Sequence, residues 1–343
     1  MDWTALHRWI MKLAILIKTY NEAHNIERCL NAVFDAIAGI AGGVEVLVAD
    51  SLSTDATVAL ARAYPVKIVQ LTLPADRGCG AGVQLGYQHT RAQFVYLLDG
   101  DMELQGDFLK QALALIENDA TLGGISGVLR DRHINNRFDR HRLKNKPAAR
   151  AGDVEWLAGG GLYRRAALDE AGGYAGNRNL KAYEEAELGL RLGSHGWRML
   201  RLDTVAVYHT GHAESTGALI WRQWRSRRMD AGGVLLKSAL GRPWCWRVMR
   251  MCLHPLAVLC FWTLVLGAAL LAPDWRLPAA CLGLGGLAAL ALCVKKRSVN
   301  DAGFSILLWH LSAAGLVRGF VTARLRSPCE AIPSQILSEN TAV

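Results

Sequence analysis

Two aspartates one residue apart close an apolar run in FVYLLDGDMEL, residues 94–104. Side chains alternate along an extended chain, so Asp99 and Asp101 can point the same way. Two unit charges ~4 Å apart repel by ~1 kcal/mol in water, and several-fold more near a protein surface. A divalent cation reverses that sign. Hard carboxylate oxygens suit Mg2+ or Mn2+, either of which also holds a diphosphate. Gly100 between the acids lets the backbone pass close to a ligand. The structural alternative is a solvated turn whose aspartates cap the helix expected over 106–117. The position of the pair, directly after an apolar strand and matched by polar clusters after other strands, favours the cation.

The elements that must position these acids can be read from hydrophobic runs. The chain has 343 residues, a formal net charge of +9 and 51% hydrophobic residues, enough for one large domain with additional elements. LAILI (13–17), VEVLVAD (44–50), VKIVQL (66–71) and FVYLLDGD (94–101) read as strands. EAHNIERCLNAVFDAIAG (22–39) spaces Ile26, Leu30, Val33 and Ile37 by three and four, and STDATVALARAY (53–64) opens with helix-capping types, so both read as helices. Continuous apolar strands alternating with helices give an α/β fold with a mostly parallel, Rossmann-like sheet covered on both faces. In such sheets ligands bind beyond the carboxyl ends of the strands. The polar clusters KTYNE, DSLSTD and DGDME fall there.

Other features narrow the class. Eight cysteines are scattered without a Cys-x-x-Cys pair or a Cys/His cluster, which fits reduced thiols better than a disulfide framework or a zinc site. LAILI is too short for a secretory signal core, and MKLAILI from Met11 reads as a natural start, so residues 1–10 are expected to be a dispensable extension.

LAILIKTYNEAHNIERCL, EVLVADSLSTDAT, FVYLLDGDMEL, WLAGGGLYRRAALDEAGGY and YEEAELGLRL stand in an order and spacing that resembles the family 2 glycosyltransferases of GT-A fold, over roughly residues 11–215. The resemblance implies that Thr19, Tyr20, Asn21 and Glu22 lie against the nucleotide, with Lys18 where the family usually has Pro. Asp50 matches a nucleotide-contacting aspartate, and Leu52 stands where Gly is common. Ser53, Thr54 and Asp55 also suit plain helix capping. Asp99 and Asp101 match the family's Asp-x-Asp, whose second acid is the direct metal ligand. His209 matches a metal- or diphosphate-contacting histidine, with a structural role as its alternative. Gly159, Gly160 and Gly161 match the acceptor side, where a flexible turn is the alternative.

YEEAELGLRL matches the family's base motif, with Glu185 where Asp is usual and Glu184 as the fallback. One carboxylate must take the acceptor's proton, and the metal stabilises the departing diphosphate. That logic favours inversion at the anomeric carbon. Glu187 suits a structural i,i+4 pair with Arg191. WRQWRSRR (221–228) lacks the order of the Gln-x-x-Arg-Trp motif of processive members, so a non-processive enzyme is expected.

The back of the chain is different. MCLHPLAVLCFWTLVLGAALLAP (251–273) has no acidic or basic residue apart from His254 and reaches roughly 33 Å as a helix, enough for a ~30 Å hydrocarbon core. LPAACLGLGGLAALALCV (277–294) is a second such run, with KKR after it and Arg242, Arg247 and Arg250 before the first. Basic flanks place both inner ends in the cytoplasm. AGFSILLWHLSAAGLV (302–317), about 24 Å long as a helix and basic on both sides, reads as interfacial or re-entrant. Residues 130–150 carry eight Lys/Arg against two Asp, and 221–250 carry eight against one. No nucleic-acid module accompanies them, so an anionic membrane or a lipid phosphate is the expected partner rather than nucleic acid.

The expected organisation is therefore an extension (1–10), a GT-A domain (11–215), a basic amphipathic connector (216–250), two transmembrane helices (251–294), an interfacial helix (295–330) and a tail (331–343). The expected function is an inverting, Mg2+- or Mn2+-dependent glycosyltransferase, multi-pass in a cytoplasmic (inner) membrane with its catalytic domain in the cytoplasm. It would move sugar from a nucleotide-sugar donor to a lipid-linked glycan in polysaccharide or glycolipid assembly. The rivals are a polyprenyl-phosphate sugar synthase and a non-catalytic nucleotide-sugar-binding scaffold.

Overall fold

The computed structural model describes residues 11–144, 151–174, 176–211, 214–272, 274–325 and 330–339, and the side chains at 141, 142 and 144 fall outside that description. The expected extension at 1–10, the side chain of Arg142 and the last four residues of the tail therefore lie outside the described residues. The chain forms two compact units, residues 1–222 with 325–343, and residues 223–324.

In the first unit the elements run β1 (Leu13–Thr19), α1 (Ile26–Ile37), β2 (Val44–Asp50), α2 (Thr57–Ala61), β3 (Lys67–Leu71), α3 (Cys79–Gln88), β4 (Phe94–Asp99), β5 (Met102–Leu104) and α4 (Gly106–Asn118). They continue with β6 (Leu122–Asp131), α5 (Arg137–Lys144), β7 (Gly152–Asp153), β8 (Gly161–Arg164), α6 (Arg165–Glu170), α7 (Glu184–Ser194), β9 (Arg198–His209) and α8 (Thr216–Arg225). A last strand closes the chain and is numbered β10 (Ser334–Glu339). One sheet holds them in the order β10-β3-β2-β1-β4-β8-β6-β9-β5, with β7 on β9.

The four strands expected from apolar runs are parallel neighbours, β3-β2-β1-β4. The later strands β8, β5 and β10 are antiparallel additions, so the whole sheet is mixed. Alternation along β1 shows why both faces are covered. Leu13, Ile15 and Ile17 face a core with Ile26, Leu30 and Val33 of α1 and Phe108 of α4, while Ala14 and Leu16 face one with Val83 of α3 and Leu188 of α7. Burying each such side chain contributes roughly 1.5–3 kcal/mol.

Register carries the site. β1 against β4 sets Lys18 beside Asp99, and β1 against β2 sets Thr19 beside Asp50. β6 runs parallel to β9 and sets Asp131 beside His209.

The second unit is helical. It continues with α9 (Ala231–Ala239), α10 (Cys245–Met251), α11 (Leu253–Leu271), α12 (Arg276–Lys296) and α13 (Val299–Thr322). The last three have mean hydropathies of 2.0, 2.1 and 1.5, and each is long and apolar enough to cross a membrane by length and composition. The run 302–317 is thus the interior of a 24-residue helix rather than a separate short one. Buried Asp230 receives Arg318 Nη2 at 2.6 Å and Arg227 Nε at 2.7 Å. Gly315 and Gly319 of α13 leave no room for a Cβ against the carbonyls of Met229 and Asp230, so this helix is packed tightly there.

Candidate active site

The loops after β1 and β2 are stitched together by side chains. Asp50 is fully buried. Its carboxylate accepts from Thr19 Oγ1 (3.0 Å), Ser53 N (2.9 Å), Ser53 Oγ (2.5 Å) and Gln70 Nε2 (2.8 Å). Four donors satisfy it, so it fixes the shape of the loop instead of offering a bare acceptor. Ala56 holds the N-cap position of helix α2 without a side-chain bond of its own, and Asp55 before it accepts from the first helical N–H, Thr57 N, at 3.0 Å, so the capping reading holds for Asp55. The cluster also ties down the loop after β1: Ser53 Oγ accepts from Asn21 N (2.9 Å), Thr54 N donates to Asn21 Oδ1 (2.8 Å) and Asp55 accepts from Ala23 N (3.0 Å). Asn21 and Leu52 both adopt left-handed backbone, φ 57 and 62. The Leu52 value accounts for a position that suits Gly. Tyr20 stays exposed, with the Arg77 guanidinium 5.0 Å over its ring and braced on the carbonyls of Ser51 and Leu52.

The paired aspartates separate in role. Asp99 Oδ1 lies 3.1 Å from Lys18 Nζ. Asp101 Oδ2 lies 3.1 Å from His209 Nε2, and His209 Nδ1 lies 2.8 Å from Asp131 Oδ1. Burial disfavours the charged imidazole, but Asp101 and Asp131 outweigh it and push the His209 pKa up to about 9. Glu22 closes the group: burial, with Asp101 and Asp99 nearby, lifts its carboxyl to about 7 against the pull of Asn25. Burial likewise raises Asp99, despite Lys18. A Cβ at Gly100 would come within 3.0 Å of both Glu22 and Thr19, so what the glycine admits is the β1 loop itself.

Among the described residues no three His, Cys, Asp or Glu side chains by themselves make a metal cage. The donor set nonetheless fits a cation shared with a diphosphate. Mg2+-type ions are commonly held by one or two carboxylates plus substrate phosphates. Here Asp101 and His209 converge, and Asp131 stands behind the imidazole where a carboxylate would orient a histidine ligand.

The helix α7 brings the remaining acids. Tyr183 precedes it in left-handed backbone, φ 66. Glu184 Oε1 receives Lys18 Nζ at 3.0 Å, and Glu185 Oε1 receives the Gly160 N–H at 2.9 Å. Burial first, then neighbouring Glu184, raises the Glu185 carboxyl to about 7, with Lys18 and Gly160 opposing. Gly159 and Gly160 have φ near +80, and a Cβ on Gly160 would collide with the Leu97 carbonyl. Gly160 therefore seats the turn on β4 and presents its N–H to Glu185, while Gly159 packs against Leu129 and Gly161 against Leu157. Glu187 is structural, as expected: Arg191 Nε reaches its Oε1 at 2.9 Å, and Arg191 also donates to the carbonyls of Gly173 and Tyr174.

The structure thus gathers Asp99, Asp101, His209, Glu184 and Glu185 around the ends of β1, β4 and β9, with Thr19 to Glu22 alongside. Three contributors escaped sequence reasoning. Asp131 ends β6 as an acid after an apolar strand, which was a usable signal. Lys18 was noted only as a replacement for Pro, and Arg77 lies in a loop that carried no motif. A cleft of about 490 Å³ beside Asp131 is lined by Arg130, Arg132, His133, Leu143 and Tyr208.

The sequence profile of "Glycosyl transferase family 2" matches residues 14–178. The dolichol-phosphate mannosyltransferase of Pyrococcus furiosus is 24% identical over 148 residues, which are 42% of this chain and 41% of that protein. The chain thus spans about two fifths of that curated relative. Among solved structures, the mannosyltransferase PcManGT from Pyrobaculum calidifontis, in complex with GDP-Man and Mn2+, superposes with a TM-score of 0.60 at 20% identity, covering 91% of this chain and 88% of that one. S. aureus TarS in complex with UDP-GlcNAc superposes with a TM-score of 0.54 at 18% identity, covering 90% and 89%. At these identities the likeness is one of fold.

Proposed function

We propose, on the premise that residues 14–178 are a family 2 glycosyltransferase domain, that this chain is an inverting, cation-dependent enzyme of a cytoplasmic (inner) membrane. It transfers a sugar from a nucleotide-sugar donor to a lipid-linked glycan. The observation that carries this reading is the convergence of Asp99, Asp101 and His209 with the Glu184–Glu185 turn, joined through Lys18. Donor-side acids and a candidate base then share one site at the strand ends.

In the proposed reaction, Thr19, Tyr20, Asn21 and Glu22 line the nucleotide, and Asp50 holds their loop. Glu185 takes the proton of the acceptor hydroxyl. The hydroxyl oxygen forms a bond to the anomeric carbon as the bond from that carbon to the diphosphate oxygen breaks. The electron pair leaves with the nucleoside diphosphate, and attack from the opposite face inverts the centre. A carboxyl near 7 is well matched to this task, since general bases work best with a pKa close to the working pH. Mg2+ or Mn2+ at Asp101 and His209 would neutralise the departing diphosphate. Gly159 to Gly161 form the acceptor side.

Two features support a lipid-linked acceptor. Three helices suit a bilayer, and Arg130 and His133, on a cleft they share with Asp131 and the Glu103-paired Arg132, offer donors to a phosphate. A polyprenyl phosphate as direct acceptor is the second reading, favoured by the same cleft and by the dolichol-phosphate relative. A phosphate acceptor is already ionised and needs no base, so Glu185→Gln separates the two readings. The primary test is a screen of nucleotide sugars for Mn2+-dependent release of nucleoside diphosphate, with and without a polyprenyl-pyrophosphate sugar. Release that depends on both the metal and the lipid is expected. Binding of a nucleotide sugar without turnover under any acceptor would leave a scaffold.

A further inference from the structure

Lys18 sits near the end of β1, directly across the register from Asp99. Its ammonium is 3.1 Å from Asp99 Oδ1 and 3.0 Å from Glu184 Oε1, with 16% of its side chain exposed. The two acids come from distant parts of the sheet architecture: Asp99 ends β4, and Glu184 begins α7. No proline at this position would supply a charge or a donor. The lysine is therefore a feature of this chain whose chemistry has to be explained in its own right.

Two consequences follow from its position. An ammonium against one oxygen of Asp99 competes with any other cation for that carboxylate. Asp101, two residues on, faces His209 instead. The same ammonium also ties the first turn of α7 to the end of β4, and the next residue of that turn is Glu185, which is held from the other side by Gly160 N–H. Without the lysine, Asp99 and Glu184 would lose the ammonium that both of them touch. Breaking such a pair by removing one partner leaves an uncompensated buried charge.

We infer that Lys18 is a positioning residue that withholds Asp99 from the divalent cation and anchors the first turn of α7 to the donor side, so that Glu185 is set at the reacting end. The inference rests on the glycosyltransferase reading above. It divides the labour of the Asp-Gly-Asp pair: Asp101 and His209 serve the cation, and Asp99 serves the lysine and the donor.

The test uses the full chain in detergent, with Mn2+ alone as the calorimetric probe and sugar transfer as the second readout. Lys18→Met keeps the length of the side chain and removes its charge. Mn2+ binding is expected to tighten by about tenfold or more, because loss of a positive charge and release of a carboxylate ligand act in the same direction. At saturating donor, kcat is expected to fall about 10²-fold, the scale lost when a base is misplaced. A lysine that only stabilised the fold would never tighten metal binding. Lys18→Arg should return Mn2+ affinity towards wild type, and Asp99→Asn in the Lys18→Met background should cancel the gain. Should Lys18→Met fail to fold, Lys18→Gln serves: it keeps a hydrogen-bonding side chain between Asp99 and Glu184 without the charge, and Mn2+ binding should tighten in the same way. Unchanged or weaker Mn2+ binding in a folded Lys18→Met or Lys18→Gln chain overturns the inference. A wild-type chain with no metal-dependent transfer would instead overturn the functional reading beneath it.

Discussion

Replacing Glu185 by Gln should cost turnover and gain stability, and the gain should depend on pH. Burial and Glu184 lift the carboxyl from 4.5 to about 7. The folded chain therefore holds a proton that the unfolded chain has already released, and wild-type stability falls as pH rises from about 4.5 through 7. At ~1.4 kcal/mol per pKa unit the full penalty is at most about 3.5 kcal/mol, and partial exposure of the side chain reduces it. Gln escapes the penalty and keeps an Oε1 for the Gly160 N–H. Thermal unfolding of the full chain in detergent should show a variant little different from wild type at pH 5 and more stable by a few degrees at pH 8. Transfer assays should show kcat down by about 10² or more. Wild-type kcat should fall as pH drops below about 7, where Glu185 takes up its proton. The residual rate of the variant should lack that limb. A stability difference equal at both pH values would refute the electrostatic reasoning. An active Glu185→Gln beside a dead Glu184→Gln would move the base by one residue.

Asp101→Ala should abolish Mn2+-dependent binding of nucleoside diphosphate and Asp99→Ala should only weaken it; calorimetry with and without Mn2+ tests this, and retained metal dependence in Asp101→Ala defeats the ligand assignment. Asp131→Asn removes the carboxylate behind His209 and should loosen Mn2+ binding by ~10–100-fold, with an unchanged isotherm as the contrary result. Reversing Arg137, Arg140 and Arg142 together should raise KM for a polyprenyl-pyrophosphate sugar and leave donor binding intact, since each basic residue near an anionic surface contributes ~1 kcal/mol; equal efficiency towards the same sugar without its lipid would remove the case for a lipid-linked substrate. Externally added thiol reagent should reach cysteines placed at 274–276 and none near 340, and labelling near 340 would show that 302–317 crosses.

The parallel core was legible because its signal is local. LAILI, VEVLVAD and FVYLLDGD are buried on both faces, and only continuous apolar runs fit there. The acids at 99, 101, 184 and 185 were legible from their motifs. What stayed hidden depends on pairing between distant segments. Nothing local in GGISGVLRD announces that β6 will run parallel to β9 and deliver Asp131 to His209. The Ser53–Asp55 cluster has the composition of a helix cap, yet the Asn21 loop, more than thirty residues earlier in the chain, competes for its hydrogen bonds. Lys18 reads as one more polar residue after an apolar strand until the register places it opposite Asp99.

β10 carries a consequence of a different kind, one of counting. Residues 334–339 are hydrogen-bonded to β3, in the same sheet as β1, β4 and β9. The chain therefore leaves this sheet before residue 223 and returns to it after residue 324. A sheet cannot be divided between the two sides of a bilayer, because its backbone groups have no partners in the hydrocarbon. Any path through a membrane between those two points must then be a closed excursion with an even number of crossings. Three helices have the length and composition to cross, and three is odd, so they cannot all be single crossings. Of the three, α13 has the lowest mean hydropathy, 1.5, and it bears Arg318, whose guanidinium is bound to Asp230.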